Sequence, residues 1–178
     1  PEAARVLNQL EAGNLVARKA DGAVFIGTRD GAVYDLEDPL TGAAAGQAQR
    51  SAVEAIRVNN RIRRAVRAAM GSLTLQSADA GQRRAAANAI FAGRDPEAIE
   101  ALDAAIAAET DAGIATLMRQ ARASAILNSD RPEAEKIEAV NVIGARGDRD
   151  ALVILTPLAE GEGALAQAAS SALEAVQG

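Results

Sequence analysis

The chain has 178 residues, which is long enough for one domain with a core. Its formal net charge is -5 and its pI is near 4.9. Because cysteine and histidine are both absent, disulfides, thiol nucleophiles, imidazole bases and nearly every zinc or copper site are excluded. The acidic balance argues against general nucleic-acid binding, and no stretch approaches the roughly 18 consecutive apolar residues of a membrane span.

Hydrophobic residues make up 49% of the chain, but aromatic residues make up only 2%. A core built from alanine and aliphatic side chains indicates closely stacked helices, so we expect a mainly α fold. The chain opens with Pro1 instead of methionine. We therefore expect a mature or excised piece, whose signal or anchor would lie outside it.

Residues 2–12 (EAARVLNQLEA) predict a short helix that a Gly-Asn pair ends. Residues 17–42 have a different sequence pattern, in which the apolar runs 23–26 and 32–34 each follow an Asp-Gly pair. This pattern predicts a β-hairpin, which we expect to pack on the helices that follow, since an isolated hairpin is marginal in water. The predicted N-terminal element, a helix plus the hairpin, covers residues 1–46.

From about residue 47 the pattern is helical almost to the end, and it contains a repeat. The segment AANAIFAGRDPEAI (86–99) aligns without gaps on AVNVIGARGDRDAL (139–152), with Asp95 on Asp148. Such aspartates can cap the next helix. Self-similar helices with short capped links predict a HEAT-like helical-repeat solenoid, a right-handed superhelix, over residues 47–178. The alternative is an ordinary helical bundle with accidental similarity.

The stretch RVNNRIRR (57–64) concentrates arginine in an acidic chain. At about 100° per residue it predicts an amphipathic helix with Val58 and Ile62 in the apolar seam and arginines on both flanks. The arginines could be solvated, or could pair with the acids of the hairpin. Nucleic-acid binding is the least favoured interpretation, because no aromatic residues are interleaved for base stacking. The hairpin acids are Asp30, Asp35, Glu37 and Asp38.

Two adjacent asparagines lie within this stretch. The helical wheel places Asn59 in the apolar sector and Asn60 toward the arginines. A buried amide without partners costs about 1–3 kcal/mol. We therefore expect Asn59 to hydrogen-bond to backbone in the hairpin or in its exit turn.

The order of these elements resembles the N-terminal soluble region of the urea ABC transporter permease subunit (the UrtB family). A short helix, VARKADGAVFIG (16–27), the turn LTG (40–42), IRVNNRIRRAVRAAM (56–70) and HEAT-like helices follow one another as in that family. The similarity spans essentially the whole chain and is most specific at RVNNRIRR. Seven of its eight positions match the family motif, and at the remaining one Ile62 replaces the usual leucine, which is a near-isosteric change.

The resemblance implies a soluble, non-catalytic extracytoplasmic domain of a urea transport permease, at the periplasmic face of the bacterial inner membrane. Any contact with the membrane would be through segments absent from this chain. The implied partners are the periplasmic urea-binding protein and the permease subunits. No catalytic, metal or cofactor residue is implied, and no cofactor is expected. The possible partner-binding or structural residues are Arg57, Asn59, Asn60, Arg61, Arg63 and Arg64.

Three other functions stay open at this point. A sensing domain could hold urea or another small amide near Asn59 and Asn60, because amide side chains offer both donors and acceptors. A structural spacer would have no ligand. An enzyme is least favoured: HEAT-like bilin lyases share the repeat, but the aromatic lining of a tetrapyrrole pocket is missing. The pair Glu97 and Glu100 has ordinary helix-surface spacing, and Ser170-Ser171 has no base nearby in sequence.

Overall fold

The computed structural model describes residues 2–177 and is mainly helical, with a small antiparallel β-sheet near its N terminus. Pro1, where a processed start was expected, lies outside the described residues. Backbone contacts divide the chain into two compact units, residues 1–70 and 71–178. The helix that contains the boundary, α2, spans Asn60–Leu75.

The first unit contains helix α1 and a five-stranded antiparallel sheet with strand order β4-β3-β2-β1-β5. The middle strands β2 and β3 form the predicted hairpin, which turns at Gly31. The elements are α1 (Glu2–Ala12), β1 (Leu15–Arg18), β2 (Val24–Asp30), β3 (Val33–Glu37), β4 (Ala44–Gln49) and β5 (Val53–Ala55).

The sequence prediction was wrong from residue 47 to 59, where it placed helix. Strand β4 continues to Gln49, a 3-10 turn follows at Arg50–Ala52, and β5 pairs with β1 before α2 begins. The sequence of β4, AAGQAQ, has no β-branched or aromatic residue. Its conformation therefore depends on pairing with β3, because cross-strand contacts override weak local preference.

The sheet has a core of its own. Val16, Leu36 and Val53 are buried on one face, with Phe25 and Tyr34 packed against them. The glycine in β2, Gly27, makes this packing possible. A Cβ at Gly27 would lie 3.0 Å from both methyl carbons of Val16 and 3.1 Å from a ring carbon of Tyr34.

The second unit contains the remaining helices and a separate core of alanine and aliphatic side chains. Aspartates cap three of the helices, and the cap at Asp148 was predicted from the repeat. Asp79 accepts from the Gln82 N–H, Asp111 from the Ile114 N–H and Asp148 from the Ala151 N–H. The helices are α3 (Ala80–Gly93), α4 (Ile99–Ala108), α5 (Ala112–Leu127), α6 (Glu133–Gly144), α7 (Arg149–Ala159) and α8 (Ala164–Gln177).

The packing of these helices follows the internal repeat. Helix α5 packs against both α3 and α4, and α8 packs in the same way against both α6 and α7. The two sets meet where α5 packs against α6. The aligned segments 86–99 and 139–152 thus have equivalent places, each running from one helix through a tight turn into the next. The turns also match in conformation, because Arg94 and Gly147 both have positive φ.

Candidate partner-binding site

The arginine-rich stretch connects the sheet to a helix instead of lying within one. Arg57 and Val58 precede α2, and helical structure begins at Asn60. The four arginines and both asparagines are exposed, whereas Val58 and Ile62 are half-buried. We call the exposed side chains of Arg57, Arg61, Arg63 and Arg64 the arginine cluster.

Asn59 caps the start of α2. Its side-chain Oδ1 accepts a hydrogen bond from the backbone N–H of Ile62 at 2.9 Å, which satisfies one of the unpaired donors of the first turn. The prediction that Asn59 is buried and bonded to the hairpin was therefore wrong. The helical wheel failed because this residue precedes the helix, where a periodicity of 3.6 residues does not apply.

The arginine cluster lies where the helix itself is already positive. The unpaired N–H groups at the start of α2 carry a partial positive charge, and its first turn contains no acidic residue to offset that charge. Moreover, the sequence has no aspartate or glutamate from residue 55 to residue 78. Cations at this end destabilise a helix by a few tenths of a kcal/mol each. The cluster thus concentrates positive charge at a cost to local stability.

Two of the hairpin acids hydrogen-bond locally. Asp35 accepts from the side chain of Gln47 in the neighbouring strand at 2.7 Å. Asp38 accepts from the backbone N–H groups of Leu40 and Thr41, both at 2.9 Å. The N–H of Thr41, and then that of Leu40, holds the pKa of Asp38 below its ordinary value. These carboxylates stabilise turns and strand pairing.

An arginine further along α2 makes an ion pair with the other helix of this unit. The Nε of Arg67 lies 2.9 Å from the Oε1 of Glu11 in α1. Since the Arg67 side chain is 71% exposed, the pair adds little stability. The ion pair between α2 and α1 is therefore made by Arg67, a residue that lies outside RVNNRIRR.

A buried ion pair that the sequence analysis did not find lies in the second unit. The Nε of Arg83 donates to Glu109 Oε2 at 2.7 Å, and its Nη1 donates to the carbonyl of Ser77 at 2.9 Å. The Glu109 side chain is 1% exposed. Its pKa is lowered, first by the hydrogen bond from Arg83 and then by the N–H of Asp111. The pair lines a cavity of 260 Å³. Its donors and acceptors already make hydrogen bonds to the loops before α3 and α5.

A second arginine that the sequence analysis missed is Arg94, at the end of α3. Among residues 2–177 it is the only non-glycine residue whose φ is positive. The gap-free alignment of the two repeats contained the signal, since it places Arg94 on Gly147. An arginine thus occupies a left-handed position that has glycine in the second repeat.

The residues considered above as catalytic candidates lie in regular helical elements. Glu97 lies in the 3-10 turn Pro96–Ala98, Glu100 in the first turn of α4, and Ser170 and Ser171 along α8. Within residues 2–177, no group of acidic side chains is arranged to hold a metal ion. Nor does that part of the chain contain a helix whose length and hydropathy would let it cross a bilayer.

Comparison with known proteins adds no family. No family model matches the chain, no curated protein is significantly similar to it, and no solved structure matches it. The resemblance stated above therefore depends on the quoted motifs alone.

Proposed function

We propose that this chain is a protein–protein docking module, and that the arginine cluster is the part of it that attracts the partner. The observation that carries the proposal is the exposure of these arginines at the positive end of α2, with no acidic residue in its first turn. Positive charge concentrated in this way steers an acidic surface toward it and weakens with added salt. The partner surface should accordingly be acidic.

The biological setting that we propose comes from the resemblance to the urea ABC transporter permease. In that setting the module belongs to the extracytoplasmic part of the permease subunit. It docks the periplasmic urea-binding protein or helps to assemble the permease subunits. The module itself performs no catalysis and takes no cofactor.

We also propose that the second unit is a HEAT-like, right-handed solenoid. The support is the repeated packing of α5 on α3 and α4, and of α8 on α6 and α7, with α5 against α6 between the two sets. Solenoids stack such units and use their extended surfaces for binding. This architecture agrees with a docking role but does not identify the partner.

The sensing alternative has less support at the residues first considered for it. The Oδ1 of Asn59 already accepts from the Ile62 N–H, so it would have to leave the helix cap to bind urea. The spacer alternative offers no reason for charge that is unfavourable to the helix on which it lies.

The test is binding of this chain to the urea-binding protein of the same transporter, measured by calorimetry at low and at high salt. The triple variant R57E/R61E/R63E should lose most of the affinity at low salt. A matched control, R84E/R119E/R149E, makes the same charge change at exposed arginines of α3, α5 and α7 and should bind normally. Equal binding by both variants, or affinity that ignores salt, would refute the proposal.

A further inference from the structure

Arg94 ends helix α3 in a conformation that arginine avoids. Its φ and ψ are 52° and 39°, in the left-handed region, whereas the equivalent turn of the second repeat has Gly147 with a φ of 64°. Two hydrogen bonds hold the turn in place. The N–H of Arg94 donates to the Ile90 carbonyl at 2.8 Å, and the Asn128 side chain donates to the Arg94 carbonyl at 2.9 Å.

The side chain of Arg94 is half-buried and, within residues 2–177, makes no hydrogen bond or ion pair. Its Nε is buried and has no acceptor. An N–H group withdrawn from water without an acceptor is unfavourable, and so is the left-handed backbone conformation of this residue. Two unfavourable features thus occur together at one residue.

Arg94 lines a cavity of 220 Å³ between α3 and α7. Its apolar wall consists of Phe91, Val153 and Ile154. Val153 in this wall is 67% exposed. The cavity thus combines a cation that lacks a partner with an uncovered aliphatic surface.

Two further charges lie at this cavity. Asp150 is part of its lining, and the Nη2 of Arg146 lies 3.8 Å from the Asp150 carboxylate, which offsets its charge. The Arg146 guanidinium also stacks on the Phe91 ring, 4.2 Å from its centroid. Since Arg146 is already bonded to Asp148 and Gln120, the cation that remains for a ligand is Arg94.

We propose that this cavity binds a carboxylate on a short aliphatic stem. The guanidinium fork of Arg94 matches a carboxylate and would give its Nε–H the missing acceptor once the side chain turns toward the cavity. The aliphatic stem would cover Val153 and Ile154. This site lies in the second unit and does not depend on the docking function proposed for the arginine cluster.

The test uses butyrate as the probe and follows the NMR signals of Phe91, Val153 and Ile154. We expect saturable shifts with butyrate and at least about tenfold weaker binding of butyramide, which has the same shape but no charge. The variant R94G should lose binding by a similar factor while its melting temperature stays the same or rises, because glycine adopts this turn freely. The control R84A, at an exposed arginine of α3, should bind butyrate normally.

A second arm identifies the source of the carboxylate. An acetylated dipeptide ending in valine is compared with its amidated form and with butyrate. Preference for the free peptide acid supports the site and assigns it to the C terminus of a protein, whereas preference for butyrate supports it and assigns a free aliphatic acid. Absence of saturable shifts with any of the acids, or shifts that persist in R94G, would overturn the proposal.

Discussion

The two units of this protein use arginine differently. In the second unit Arg83 and Arg146 are half-buried and bonded to carboxylates, so their charge fastens loops and helix ends. In the first unit the arginine cluster is exposed at the end of a helix whose dipole opposes it. Arg83 and Arg146 are thus held by carboxylates of the fold, whereas the arginines of the cluster lie in contact with water. We base the functional proposal on that contrast.

The largest effect is expected in the helical core. Leu102 is 0% exposed, so Leu102→Ala should lower the free energy of unfolding by about 3 kcal/mol, through lost burial and the cavity that is left. Leu40, in the first unit, is 52% exposed, and Leu40→Ala is the control, expected to change little. Urea titration of both variants measures this, and similar losses would contradict the assignment of the core.

Next in size is the effect of breaking the buried pair by Glu109→Gln, which leaves the guanidinium of Arg83 without its counter-charge. Because the folded pKa of Glu109 is lowered, its contribution is fully present above the ordinary glutamate pKa of about 4.3 and is lost as the pH falls through the lower folded pKa. The melting temperatures of wild type and variant should therefore differ at pH 7 and converge in acid. A difference that is independent of pH would show that the pair is not the cause.

A smaller loss is expected in the sheet. Gly27→Ala places a methyl group against Val16 and Tyr34 and should cost about 1–2 kcal/mol. Gly71 in α2 has open space around its Cβ position and no positive φ, so Gly71→Ala should instead stabilise by about 0.5–1 kcal/mol. Opposite signs in thermal unfolding would confirm the packing of the sheet, and equal signs would contradict it.

The smallest of these effects concerns the cap of α2. Asn59→Ala removes the acceptor of the Ile62 N–H and should cost about 1 kcal/mol. Its neighbour Asn60 is exposed inside the first turn, so Asn60→Ala should be nearly neutral. Loss of stability from Asn60→Ala alone would mean that the helix begins elsewhere.

These outcomes also show which features a sequence can predict. The hairpin β2–β3 and the caps at Asp79, Asp111 and Asp148 were predictable, because each depends on residues close together in the chain. Strand β4 was not, since its alanines and glutamines acquire β structure only by pairing with β3.

The candidate sites also differ in whether neighbouring residues in the sequence or tertiary packing determine them. The exposed arginines could be predicted from RVNNRIRR, but Asn59 was misplaced because helix was predicted from about residue 47, whereas α2 begins at Asn60. The ion pair joins Arg83 of α3 to Glu109 in the loop after α4, and the cavity at Arg94 exists only after α3 and α7 are packed in space. The repeat alignment was the available signal for Arg94.

The most direct test of the central claim is the free energy of unfolding of R57E/R61E/R63E. If the arginine cluster serves a partner and not the fold, the variant should be as stable as wild type, or more stable by a few tenths of a kcal/mol, because the carboxylates introduced in the first turn would favour the positive end of α2. A loss greater than about 1 kcal/mol would show that the arginines hold the first unit together and would contradict the claim.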